Sequence, residues 1–265
     1  MNYRIFLFLL SVYVIGCNDD VPPQVIHQQL KTLSLSDSEV AGIRLCTEIP
    51  SILADSIKNG KQASSLINLN WPRNTQILYV RFLDGDPVIQ EKVKQAAGEW
   101  ENYCGKHFSY EHTARPDITI SFRQPGSWSK IGKASRECSP SMNLGWLTLA
   151  TPAQDLKQIV LHEFGHALGL IHEHQNPDNN PIHWNKEITY AYYQKTQGWS
   201  REKTDKNLFQ TYDETLMNGG SFDPKSIMLY AIPKSLTTDS FSTTWNHELS
   251  DEDKKIIGIL YPKKS

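Results

Sequence analysis

Apolar residues fall into two periods along this chain, and the changes of period mark its elements. From Gln76 to Phe82 the spacing is two, with Ile77 and Tyr79 on one face against Leu78, Val80 and Phe82 on the other, which predicts a core β-strand. Asp86-Pro87 then offers a cap and a first helical position, and Ile89, Val93, Ala96, Ala97, Trp100 and Cys104 recur every three or four residues. That stretch predicts an amphipathic helix packed on the sheet, with Asp84 and Asp86 in turn and cap duties. Phe108 to Glu111 and Ile118 to Phe122 read as two more strands. Gly126 to Pro140, rich in Gly, Ser and charge, reads as a surface loop, and Met142 to Leu149 as a short strand. Thr151-Pro152-Ala153-Gln154 has the pattern of a capping box, after which Leu156, Ile159, Val160, Phe164, Ala167 and Leu168 make the buried side of a second helix. Beyond Gly169 the periods weaken. Asn176 to Pro181 is turn-forming, Ile188 to Gln194 and Ser200 to Phe209 read as helices, and Ser250 to Leu260 is a last helix with a serine cap and an acidic first turn.

The first residues have a different pattern. Met1-Asn2-Tyr3-Arg4 is a short positive region, and Ile5 to Ile15 is an almost unbroken apolar run. A membrane span needs about twenty such residues, so the run fits the core of a signal peptide instead. It ends in Val14-Ile15-Gly16-Cys17, which resembles a bacterial lipobox with Cys17 as the lipidated first residue of the mature chain. The chain therefore divides into a signal peptide over 1–16, a lipid-anchored tether and candidate pro-segment over 17–70, and one domain over 71–265 with subdomains 71–172 and 173–265. Export to the bacterial cell envelope, anchored to a membrane through lipid, is the expected location, with plain secretion as the alternative. The formal charge of −2 and the lack of a basic run give no argument for a nucleic-acid partner.

The chemistry is concentrated in His162-Glu163-Phe164-Gly165-His166-Ala167-Leu168-Gly169-Leu170-Ile171-His172. On a helix, His162 and His166 are four residues apart and share one face, so both imidazoles reach one metal ion. Glu163 lies beside that face, placed as a base for a water that the ion activates. Gly169 ends the helix, because glycine takes a left-handed conformation without a Cβ penalty, and the turn brings His172 back as a third ligand. Three neutral imidazoles leave one coordination position open, the arrangement of a catalytic zinc site, with one Zn²⁺ per chain. Far downstream, Ser226-Ile227-Met228-Leu229-Tyr230 stands where the HExxHxxGxxH pattern expects its Met-turn.

On these two motifs the chain resembles the metzincin zinc endopeptidases, and more narrowly the bacterial branch of the astacins. His172 is followed by Glu173, and Tyr230 comes two residues after Met228, as in astacins. The resemblance covers roughly Trp71 to Pro262. It departs at Leu170, where phenylalanine is common, at Leu229, where animal astacins usually have histidine, and at His174-Gln175-Asn176-Pro177, which replaces a run containing arginine and aspartate. It implies an α+β metzincin-type domain: an N-terminal subdomain with a twisted mixed β-sheet and two long helices, a zinc helix at the cleft floor, and a mostly irregular or helical C-terminal subdomain. The strand before the zinc helix would be the sheet edge that pairs with an extended substrate. It also implies Glu163 as general base, Tyr230 as a mobile zinc ligand that stabilises the oxyanion, and Met228 as a hydrophobic floor beneath the imidazoles. The implied activity is hydrolysis of peptide bonds in a protein or peptide substrate. Two alternatives stay open, a zinc amidase acting on cell-wall peptides and a zinc-containing binding module without turnover; the intact Glu163 argues against the second.

Export makes disulfides possible, and with Cys17 lipidated three cysteines remain. Cys104 and Cys138 both fall in the catalytic domain and are the candidate pair, although spacing alone does not decide. Cys46 is then left over upstream of the zinc site, a candidate latency device whose thiolate would fill the open position; a buried structural cysteine is the alternative. His27, His107, His112, His183 and His247 are scattered and read as non-ligands, and His174 reads as a residue of the cleft rim.

Overall fold

The alternating run at Ile77–Phe82 forms β1, which buries Leu78 and Val80 and turns Tyr79 and Arg81 to the opposite face of the sheet. The computed structural model describes residues 69–211 and 220–264, so Cys17, Cys46 and the expected signal, tether and pro-segment up to residue 68 lie outside the described residues. Around β1 stand β2 (His107–Ser109), β3 (Ile118–Ser121), β4 (Ser127–Ser129) and β5 (Met142–Leu144), in the order β2-β1-β3-β5-β4. Four strands are parallel and β4 alone is antiparallel, paired with β5. The sheet is therefore mixed, as the resemblance implies.

Parallel neighbours need crossover connections, and helix α1 (Pro87–Ala97) supplies the one between β1 and β2. Asp86 Oδ1 accepts a hydrogen bond from Val88 N at 2.8 Å with proline in the first turn, as the sequence predicts. Helical hydrogen bonding tightens into a 3₁₀ turn over Gly98–Asn102 rather than running on as α-helix to Cys104. Trp100 in that turn donates from Nε1 to the Leu161 carbonyl at 3.0 Å, tying α1 to helix α2 (Ala153–Ala167). Here the capping box read at Thr151–Gln154 does not form. Pro152 occupies the cap position, and the Thr151 hydroxyl accepts from Thr148 N at 2.8 Å instead.

Residues 126–140 are not a plain loop. They contain β4 and a 3₁₀ turn at Gly132–Glu137, so β4 is the outer strand and β5, expected at the edge, is an inner one ending at Leu144. The Asn143 amide creates this hairpin: it donates to the carbonyls of Gln124 at 2.9 Å and Gly126 at 2.6 Å and accepts from Gln124 N at 3.2 Å. These bonds join residues some twenty positions apart, and Ser127-Trp128-Ser129 carries a single apolar residue, so no local period announces the strand.

Downstream come α3 (Lys186–Gln197), closed by Gly198, a short α4 (Arg201–Thr204) that widens into a π turn over Asp205–Phe209, and α5 (Asp251–Leu260). Two cores result. The first gathers the inner face of the sheet, α1, α2 and α5 with Ile227 and Met228; the second gathers Trp128, Tyr192, Tyr193, Trp199 and Tyr230. Among the described residues no helix is long and apolar enough to cross a membrane.

The expected Cys104–Cys138 disulfide is absent, and both thiols are free. The sheet separates them. Cys104 is buried in the first core with Leu78 and Ile118, its thiol near the carbonyls of Trp100 (3.4 Å) and Lys106 (3.9 Å). The Cys138 carbonyl instead accepts from Thr119 Oγ1 at 3.4 Å, on the opposite sheet face, and its side chain is half-buried.

Candidate metal centre

Helix α2 carries His162, Glu163 and His166 into the interior at 3 %, 1 % and 0 % exposure, so the pattern's polar residues are turned inward rather than to solvent. Buried polar groups need partners, and the two rings find theirs in the backbone. His162 Nδ1 donates to the Ile227 carbonyl at 2.8 Å, and His166 Nδ1 to the Leu170 carbonyl at 2.9 Å. Both rings are thus held in the tautomer that leaves Nε2 as a bare lone pair. Gly169, at φ +105, ends the helix; Leu170 N returns to the Gly165 carbonyl at 2.9 Å, and the chain swings His172 to the same point. The ligand atoms of His162, His166 and His172 lie within 4.8 Å of one another.

That grouping fits a divalent cation. His162 Nε2 is buried with no hydrogen-bond partner, and His166 Nε2 faces His172 Nε2 at 3.1 Å. Converging imidazole lone pairs are unfavourable unless a cation lies among them. Burial also pushes all three imidazoles below their ordinary range, His162 to about 4, so each is neutral at physiological pH and free to coordinate. A set of three neutral nitrogens suits zinc better than the hard, oxygen-preferring cations.

The Met-turn passes directly beneath. Met228 is buried, and Gly165 makes room for it: a Cβ there would stand 2.5 Å from Met228 Sδ. Tyr230 belongs to the second core, with its ring tilted over His172 at 4.3 Å and its hydroxyl 3.5 Å from His172 Nδ1. His174, expected on the rim, is instead 1 % exposed and sandwiched against Tyr230 at 4.5 Å, with Nε2 bonded to the Asn207 carbonyl at 2.8 Å. Glu173 is satisfied internally: its carboxylate accepts from Asn176 Nδ2 and Asp223 N, both at 2.9 Å, and burial pushes its pKa up to about 7. Asn176 is one of the residues that replace the expected arginine-containing run.

One participant escapes a motif search. Asp253 on α5 accepts from Ser226 Oγ (2.8 Å), Ile227 N (2.8 Å) and Ser250 N (2.9 Å). It therefore anchors Ile227 through its N–H, and the carbonyl of the same residue orients His162. The signal in the sequence, Ser250-x-x-Asp253, announces only the helix cap, which forms as a reciprocal capping box. Asp253→Ala is expected to weaken zinc binding about ten- to hundredfold, the usual effect of losing a ligand's hydrogen-bonded support, and to destabilise the domain by about 2–4 kcal/mol. Zinc competition against a chromogenic chelator and urea unfolding would check both, and an unchanged zinc affinity would remove Asp253 from the centre.

Comparison with known proteins agrees with this geometry. A family model described as "Astacin", a peptidase family, matches residues 64–260. Zinc metalloproteinase nas-30 of Caenorhabditis elegans is 26% identical over 205 residues, covering 76% of this chain and 24% of the relative. Astacin-like metalloendopeptidase of Gallus gallus is 25% identical over 195 residues, covering 71% and 42%. The chain thus spans less than half the length of these curated relatives. Among solved structures, one of myroilysin superposes with a TM-score of 0.71 at 38% identity, covering 76% of this chain and 98% of that one. The hatching enzyme HCE-1, a zinc-protease from Oryzias latipes, shares the fold alone, with a TM-score of 0.56 at 16% identity over 74% of this chain and 96% of that one.

Proposed function

The chain belongs to the astacin family, and from that footing we propose that it is a zinc-dependent endopeptidase acting on proteins or peptides. The observation that carries the proposal is the convergence of three neutral imidazoles, with an unpartnered His162 Nε2 among them, one residue from Glu163. Zinc held by His162, His166 and His172 supplies Lewis-acid polarisation of the scissile carbonyl and makes water acidic near neutral pH. Glu163 takes the proton of the attacking water and delivers it to the leaving amine. The Tyr230 hydroxyl donates to the oxyanion as charge develops, and the stack with His174 sets the angle from which it does so. Met228 packs beneath the ligand rings as a floor. With β4 outermost, the backbone groups that would pair with an extended substrate are those of Ser127–Ser129 rather than of β5.

Dialysis against a chelator is expected to abolish cleavage of a denatured protein substrate, and stoichiometric zinc to restore it. Cleavage persisting in the metal-free protein would overturn the assignment, and activity confined to muropeptides would favour the amidase reading. The same proposal places the enzyme on a membrane of the cell envelope through lipid on Cys17, with Cys46 closing the open coordination position until the segment before Trp71 is cut. What supports this is the lipobox-like Val14-Ile15-Gly16-Cys17 and the odd thiol upstream of the site. Intact-mass analysis of the native protein decides it: an unmodified Cys17 removes the anchor, and full activity in a form that retains Cys46 removes the latency role.

A further inference from the structure

On the sheet face away from Leu78 and Val80, Arg81 and Thr119 lie side by side on β1 and β3 and form the floor of a pocket of about 720 Å³. Arg115, Asp117, Ser135, Arg136 and Cys138 are among the residues that line the rest of it. None of these residues takes part in the metal centre. The volume lies in the range of small-molecule sites, about 300–1,000 Å³, but the lining is guanidinium-rich rather than apolar.

The donors in this pocket exceed the acceptors. Arg136 uses Nε to reach Asp117 Oδ1 at 2.6 Å, and the other oxygen of Asp117 already accepts from Tyr79 N at 2.9 Å. Arg81 donates from one terminal nitrogen to the Thr113 carbonyl. The Arg115 guanidinium has no partner among the described residues, and the Ser135 hydroxyl is buried, at 2 % exposure of the residue, with none either. Three arginines against Asp117 and Glu137 leave one net positive charge. Guanidinium forks match the paired oxygens of carboxylates, phosphates and sulfates in both charge and geometry.

We propose that this pocket is a second ligand site, separate from the metal centre, that binds an oxyanion group carried on a larger molecule: a phosphate or sulfate ester, or a carboxylate. The terminal nitrogens of Arg136 and the free guanidinium of Arg115 grip the oxygens.

Titration calorimetry on the zinc-loaded full chain tests this, with sodium phosphate, sulfate and acetate as separate probes and chloride at equal ionic strength as the control. Saturable binding of at least one oxyanion, weakened at least about tenfold in Arg115→Ala at unchanged zinc content, is the expected result. The probe bound tightest names the head group. Arg115 is exposed, so its replacement leaves the core intact. All three oxyanions behaving like chloride would overturn the proposal. So would equal affinity in Arg115→Ala, since binding that survives there takes place elsewhere, the zinc centre included.

Discussion

Glu163→Ala is expected to retain its zinc and lose at least about a hundredfold in turnover, because general-base assistance is worth roughly that much or more. The reasoning starts from position. Glu163 follows the first ligand on α2 and is 1 % exposed, so it is carried by a buried helix rather than by a surface loop. It is not among the three side chains grouped as ligands, and zinc stoichiometry should therefore stay at the parent's value. Glu163→Gln separates chemistry from shape. It fills the same volume but accepts no proton, so it should be as slow as the alanine variant while keeping the parent's zinc content. Loss of turnover at unchanged zinc content in an isosteric variant is what a catalytic role predicts and a structural role does not. Peptide cleavage within a few-fold of the parent in either variant, at matched zinc content, would exclude the mechanism.

What the sequence made legible is what is local along the chain. His162, Glu163, His166, Gly169 and His172 lie within eleven residues, and one turn of helix plus one left-handed glycine is enough to predict their convergence. β1, the start of α1 and the whole of α5 follow likewise from short-range period and capping. The misses that bear on the site are non-local. β4 exists because Asn143 captures the 124–126 backbone. His174 is buried because Tyr230 and Asn207 arrive from distant segments. Counting thiols pairs Cys104 with Cys138, but the sheet lies between them. Asp253 is the instructive case: the same carboxylate serves a local cap, which the pattern shows, and the Ile227 peptide, which it does not. The metal centre is thus readable from its ligands but not from its supports.

His166→Ala is expected to strip the site of zinc and to destabilise the loaded domain. His166 is fully buried between the other two ligands, its ring centroid 4.9 Å from that of His162 and 4.5 Å from that of His172. Its removal leaves two imidazoles, too few for a tetrahedral site, and frees the Leu170 carbonyl that its Nδ1 satisfies. A loss of affinity of at least about a hundredfold removes about 2.7 kcal/mol of stabilisation at saturating metal, because binding to the folded state alone contributes RT ln(1 + [L]/Kd). The metal-free proteins should behave differently on acidification. Burial holds His166 well below its ordinary value, so between the unfolded value near 6.5 and the depressed folded one the unfolded chain binds a proton that the folded chain does not. Stability of the metal-free parent therefore falls as pH drops below about 6.5, with His162, His172 and His174 contributing in the same direction. The variant has one such group fewer and should lose less stability over that window, narrowing the gap to the parent or reversing it. Elemental analysis of both proteins, and urea unfolding of each at pH 7.5 and pH 5 with and without zinc, check these expectations. Unchanged zinc content in His166→Ala would contradict the ligand assignment, and an equal acid loss in the two metal-free proteins would contradict the burial of a neutral ring.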